Sequence, residues 1–269
     1  MSKANSPKIV LDDFAETSGG STAKSNPTST NSRSSKKRTT LKVLEREVHK
    51  CEYCKKEFTD ERYLIAHSCE KKRRHLWKDE KYIKLGFFAY QKFYVYAMKT
   101  KKPKTYDQFA DSKYFTSFTK FGKHILDINA VDPEGFIDFV IRNNVKIGDW
   151  CKDFVYETWV RELGKKESPD RALERSILLM EQWSRDTGEN WVDFFRNVNP
   201  ILATNWIKSG RISPWLLYTG FGDALFSRMS DEQLGMVAEV IDPKFWAKKI
   251  ALNKAEVSNF KSILKEAGL

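Results

Sequence analysis

The sequence predicts a mostly α protein. A small ββα-type unit comes first, then an all-α multi-helix domain, with a disordered N-terminal tail ahead of both. Three observations lead there. Beyond Trp77, apolar residues recur at three- and four-residue steps, the period of a helix face, and no window holds sustained two-residue alternation. Asp132-Pro133, Ser168-Pro169, Asn199-Pro200, Ser213-Pro214 and Asp242-Pro243 each pair a capping side chain with the residue tolerated at a first helical position. Ahead of these helices, Cys51-Glu-Tyr-Cys54 is followed at fixed spacings by Phe58, Leu64 and His67, a layout that asks for two strands and a short helix.

Residues 1–40 are rich in Ser, Thr, Asn and Lys, with Phe14 their only aromatic. Such a segment buries too little apolar surface to offset its ordering entropy. Within it, Ile9-Val-Leu-Asp-Asp-Phe14 reads either as a docking peptide for a partner's groove or as a chance apolar island. The tail closes on Lys36, Lys37 and Arg38, a cluster suited to phosphates.

Residues 41–75 form the ββα unit with its basic flank. Two cysteines lie two positions apart, and twelve residues separate Cys54 from His67. In a two-cysteine, two-histidine zinc finger, a β-knuckle presents the thiolates and a helix presents the imidazole, while one aromatic and one leucine, here Phe58 and Leu64, cover the metal. The pattern then departs. The second histidine should fall between Lys71 and Arg73, where nothing can ligate zinc. Cys69, on a fraying last turn of the same helix, is the preferred replacement, with His75 and then His49 as alternates. The expected cofactor is therefore Zn2+, held by Cys51, Cys54, His67 and Cys69. Four cysteines spread over 269 residues, with no apolar leader, point to a reducing, intracellular compartment rather than to disulfides.

Asp60 or Thr59 is placed to cap the finger helix. Its base-facing positions would be Asp60, Tyr63 and Ala66, with Arg62 beside them. Only Arg62 carries the fork that reads guanine, and one finger spans only about three base pairs, so sequence-specific reading is not expected. Lys71, Lys72, Arg73 and Arg74 follow the last ligand directly. They read as a phosphate grip or as a solvated charge run.

Charge distribution sharpens this. The chain carries a formal +11, but 24 Lys/Arg against 11 Asp/Glu fall between Lys36 and His124, a local net of +13. Positive charge confined to the finger and its surroundings points to a polyanion first and to an acidic protein surface second. No apolar run approaches the ~18 residues that a membrane span requires.

Residues 76–269 should be all helix. Fourteen aromatics lie between Trp77 and His124, and Ile83, Phe87, Tyr90, Tyr94 and Met98 share one helix face. Core packing is the favoured reading of that stripe, and stacking of unpaired bases along a lysine-lined groove the sharper one. Lys99-Thr-Lys-Lys-Pro-Lys104 reads as a basic loop between helices. Ser230-Asp-Glu-Gln233 and Asn253-Lys-Ala-Glu256 look like capping boxes. Seven of the eight tryptophans lie between residues 150 and 246, enough to anchor a core. The chain has no P-loop, no G-x-G-x-x-G and no H-E-x-x-H. A histidine-centred site would have to use His124, His49 or His75, and Asp149, Asp153 and Glu157 are expected to be solvated helix surface. No enzyme is expected.

The run from Cys51 to Arg74, followed by Leu85-Gly-Phe-Phe-Ala-Tyr-Gln-Lys-Phe-Tyr94 and Thr105-Tyr-Asp-Gln-Phe with Tyr114, Phe118 and Lys120-Phe-Gly-Lys123, resembles a family of zinc-finger proteins of large tailed bacteriophages. The resemblance covers about residues 50–250. It implies a cysteine two residues after the histidine as a ligand, in favour of Cys69, and a setting in infected bacterial cytoplasm, but no reaction. The function expected is non-enzymatic association with nucleic acid, DNA ahead of RNA, alongside a viral or host protein partner. The alternative is a protein–protein adaptor with a purely structural zinc.

Overall fold

In the computed structural model, residues 48–266 are described; the Ile9–Phe14 island and the Lys36, Lys37, Arg38 cluster lie outside them. The first described elements are two short antiparallel strands, β1 (His49–Lys50) and β2 (Glu57–Phe58), with His49 opposite Phe58 and Lys50 opposite Glu57. Then comes α1 (Glu61–Ala66), capped by Asp60, whose carboxylate accepts the Arg62 N–H at 2.9 Å. Among the described residues, everything after it is helical or loop.

One expectation fails at this point. The finger helix does not fray onward to Cys69. It stops at Ala66, His67 is extended (φ −71°, ψ 119°), and α2 (Glu70–Leu76) begins afresh. The reason is local: Cys69 is itself extended and serves as the N-cap of α2, its sulfur accepting the Lys72 N–H at 3.3 Å.

After a single tight turn, α3 (Lys81–Tyr96) begins, followed by α4 (Tyr106–Ala110), α5 (Phe115–Asp127), α6 (Pro133–Arg142) and α7 (Asp153–Lys166). These helices enclose one aromatic core, with Phe109, Phe118, Phe121, Phe136 and Trp150 at its centre, all essentially out of water. Each such side chain contributes roughly 1.5–3 kcal/mol by leaving solvent. Most of the α3 stripe packs inwards as favoured: Ile83 and Tyr90 are buried, and Phe87 and Tyr94 lie against the core. Met98 does not. It falls beyond the end of α3 and stands in solvent.

The approach of α3 to α5 leaves no room for side chains at two points. A β-carbon on Gly122 would lie 2.1 Å from the Tyr82 carbonyl oxygen, and one on Gly86 would lie 2.7 Å from that of Phe118. The two backbones are therefore in direct contact, which only glycine permits.

The second half runs through α8 (Pro169–Thr187), α9 (Phe194–Asn197), α10 (Pro200–Lys208), α11 (Pro214–Leu216), α12 (Asp223–Phe226), α13 (Asp231–Val237), α14 (Pro243–Leu252) and α15 (Lys254–Glu266). Asp132, Asn199, Ser213 and Asp242 cap their proline-started helices with side-chain bonds, and Ser230 with Gln233 forms a capping box. Ser168 holds the N-cap position of α8 without a side-chain bond, and Asn253 turns its amide back to the Lys249 carbonyl at 2.6 Å. Thr105 and Gln108 make a further box at α4.

This half has its own core around Met180, Phe194, Val198 and Leu216, with Trp215 and Trp246 in a smaller cluster beside it. The halves are joined by polar bonds. The Tyr156 hydroxyl donates to Ser209 O (2.9 Å) while accepting from Val131 N–H (2.8 Å), and buried Glu167 pairs with Arg175 (2.7 Å). No helix among the described residues is long and apolar enough to cross a membrane.

Two glycines should answer alanine in opposite ways. Gly122→Ala forces α3 and α5 apart and should cost about 1–3 kcal/mol or more in urea unfolding. Gly235, inside α13 with open space around it, should gain roughly 0.5–1 kcal/mol on the same change. Equal effects at the two sites would remove the close contact from the account of this core.

Candidate metal centre

Two residues of β1 lead directly into the knuckle that carries the first ligands. The Cys51 N–H donates to the Lys56 carbonyl and the Lys55 N–H to the Cys51 carbonyl, both at 2.9 Å, which folds Cys54 back beside Cys51. Lys55 takes a left-handed conformation (φ 62°) to close this turn, and its ammonium group binds Glu52 O at 2.6 Å. On the other side, Asp60 starts α1, Leu64 is half-buried, and the chain leaves the helix at His67. The Phe58 ring lies 4.9 Å from the His67 ring. After Ser68, the cap of α2 brings in Cys69.

These four side chains meet. The Sγ atoms of Cys51, Cys54 and Cys69 and a ring nitrogen of His67 all lie within 4.8 Å of one another, and Cys54 Sγ is 3.2 Å from His67 Nε2. A tetrahedral ion with metal–ligand bonds of about 2.0–2.3 Å needs ligand atoms roughly 3.5–4 Å apart, so the group can hold a metal ion. Charge agrees. The Cys54 N–H holds the Cys51 thiol below its usual value, against an opposing push from burial. Cys54 goes the other way: the Lys56 N–H favours its thiolate, but burial and the neighbouring sulfurs of Cys51 and Cys69 together raise it. Three thiolates this close repel, and a divalent cation is the countercharge that lets all three ionise.

Neither alternate ligand belongs to this group. His75 packs its ring between Tyr53 (4.8 Å, tilted) and Tyr106 (5.7 Å, edge-on), with Nδ1 3.8 Å from Asp107, and His49 sits on β1 opposite Phe58. Asp149 and Glu157 pair with Lys152 (2.6 Å) and Lys208 (3.0 Å). His124 has its Nε2 buried without a partner, and burial lowers its pKa. Among the described residues the Cys51, Cys54, His67, Cys69 group is the one set able to hold a metal.

The basic candidates divide. Arg62 is exposed, and its guanidinium closes on its own cap residue, 2.7 Å from Asp60. Lys71, Lys72 and Arg73 lie on α2. Lys71 reaches Asp111 at 2.7 Å, Lys72 reaches the His67 carbonyl at 3.4 Å, and Arg73 lies over the Trp77 ring at 5.9 Å. Arg74 is different. Its guanidinium donates to the carbonyls of Ala110 (2.8 Å) and Ser112 (3.3 Å), pairs with Glu70 and covers the Phe115 ring at 4.6 Å, while the Tyr106 hydroxyl donates to its carbonyl. It docks α2 on the helical body. Nothing in a run of four basic residues distinguishes the fourth, because the groups on the helical body that hold it lie 32 and more positions away.

No protein-family model, curated protein or solved structure matches this chain.

Two substitutions test the ligand set. After zinc loading and desalting, His75→Ala should retain one metal per chain, as the wild type does, and Cys69→Ala should retain far less. A Cys69→Ala protein with full metal beside an empty His75→Ala protein would move the fourth ligand to His75.

Proposed function

We propose that this chain is a zinc-binding, non-enzymatic protein that associates with nucleic acid through phosphates, with little sequence specificity. A set of three thiolates and one imidazole suits Zn2+, whose role here is to fold a segment too small for a sufficient core of its own. The observation that carries the reading is the place of the basic run. Lys71, Lys72 and Arg73 stand on the helix whose N-cap is the ligand Cys69. The metal therefore fixes the helix that presents the cations. Lys36, Lys37 and Arg38 add to the same local excess of charge.

Base reading is not part of the proposal. Arg62, the one fork on the finger helix, is engaged by Asp60, and Ala66 offers only a methyl group. DNA is preferred to RNA. On the resemblance to phage zinc-finger proteins, the setting proposed is the infected bacterial cytoplasm, with a viral or host protein as a further partner. The adaptor reading keeps one observation of its own: Tyr63 and Ile65, on the finger helix, are 65 % and 71 % exposed. Apolar side chains on that helix suit a protein surface better than a phosphate backbone.

Salt-titrated binding decides between them. On duplex DNA each phosphate neutralised adds about 0.9 to the slope of log affinity against log salt. Changing Lys71, Lys72 and Arg73 together to Gln, with Arg74 retained for its docking role, should flatten the slope by roughly two to three and weaken all sequences alike. Arg62→Gln should change little. An unaltered slope in the triple variant, or no binding by the wild type at low salt, would sink the polyanion reading and leave the adaptor.

A further inference from the structure

Between Lys81 and Tyr106 the chain carries seven lysines and not one carboxylate. The aromatic residues of α3 turn inwards for most of its length, but its C-terminal end does not follow. Val95, Tyr96 and Met98 are exposed, Tyr96 by 48 %. The Tyr96 ring has two cations over it, Lys92 Nζ at 5.7 Å and the Arg142 guanidinium at 5.8 Å from its centre, and the one carboxylate of Asp138 holds both, at 3.1 and 3.5 Å.

The loop that follows is pinned rather than loose. Lys99 turns left-handed (φ 52°), and Thr100 donates both its N–H (3.1 Å) and its hydroxyl (3.0 Å) to the Tyr94 carbonyl. Four residues after Thr100, Gln91 Nε2 binds the Lys104 carbonyl at 2.8 Å, and Lys104 Nζ lies 5.1 Å over the Tyr94 ring. Held at both ends, the loop leaves Lys99, Lys101 and Lys102 in solvent, and no carboxylate of the described residues lies within ion-pair reach of them. Like charges on a pinned loop, three to six positions along the chain from an exposed ring, leave an unmet need for anions and for a flat apolar face.

We propose that this end of α3 binds single-stranded nucleic acid. A base stacks on Tyr96 beside Arg142, and the adjoining phosphates meet Lys99, Lys101 and Lys102. The inference rests on the nucleic-acid reading above and adds to it the strandedness of the ligand and a second surface, separate from α2. The ring sets the choice. A duplex keeps its base faces stacked away, whereas an unpaired strand offers them. An acidic peptide would answer the lysines but would supply no flat face for the tyrosine.

The test uses the full zinc-loaded chain, with a labelled dT oligomer and a duplex of equal length followed by anisotropy. Tyr96→Ala should weaken the dT oligomer roughly 5- to 100-fold, with Tyr96→Phe within about twofold of wild type and the duplex unaffected by either. Lys101→Gln with Lys102→Gln should lower the single-strand salt slope by about 1.4. Unchanged dT binding in Tyr96→Ala, or an equal loss on duplex, overturns the proposal. So does displacement of the oligomer by polyglutamate as readily as by unlabelled dT, which would assign the surface to an acidic protein. If the α2 triple variant loses duplex binding while Tyr96→Ala changes nothing, the broader reading survives and this one fails. If the wild type binds neither probe at low salt, both fall.

Discussion

Arg74 ties the segment that carries the candidate metal centre to the helical body. It donates to two carbonyl groups in and just after α4, lies over the Phe115 ring, and takes its counterion from its own helix at Glu70. The Tyr106 hydroxyl returns a bond to its backbone, and His75 fills the space between Tyr53 of the knuckle and Tyr106 of the body. A guanidinium with its side chain only 17 % exposed, hydrogen-bonded on several sides, is costly to undo, because both carbonyls would lose their donor at once. Without it α2 would be tethered but not oriented. The direction in which Lys71, Lys72 and Arg73 face thus depends on a neighbour that is chemically of their kind.

The metal group acts on the same helix from its other end. His67 and Cys69 lie either side of a break between α1 and α2, so one ion would clasp both helices together with the knuckle. Cys69 stands at two places at once: its sulfur belongs to the group able to hold a metal ion, and it caps α2 by accepting the Lys72 N–H. Coordination of an ion there would be coupled to helix initiation at one sulfur.

That Cys51, Cys54, His67 and Cys69 would meet in a group able to hold a metal was legible in the sequence, because metal chemistry fixes spacing, and spacing is a one-dimensional property. The helical class was equally legible: proline beside a capping residue, and apolar steps of three and four, are local signals. What failed was the line between α1 and α2. Cysteine is not a usual capping residue, so the sequence carried no mark of a helix starting at Glu70. Arg74 could not be singled out either, since its role depends on carbonyls brought to it by the fold. The capping box at Thr105 and Gln108 did carry a readable pattern. The outward turn of Met98 depended on where α3 stops, and helix ends are the least determined feature of any periodic pattern.

The contact between Gly86 and Gly122 has a consequence at a distance. With backbone against backbone there is no layer of side chains to act as a lubricant, and α3 can neither roll nor slip along α5 without a clash. Its 16 residues form a stiff spar about 24 Å long. Whatever meets the far end of that spar finds a shape that does not yield. The entropy lost in such an encounter must then come from the visitor's chain rather than from the host's, and pliable molecules can bear that loss where rigid ones of the wrong shape are turned away.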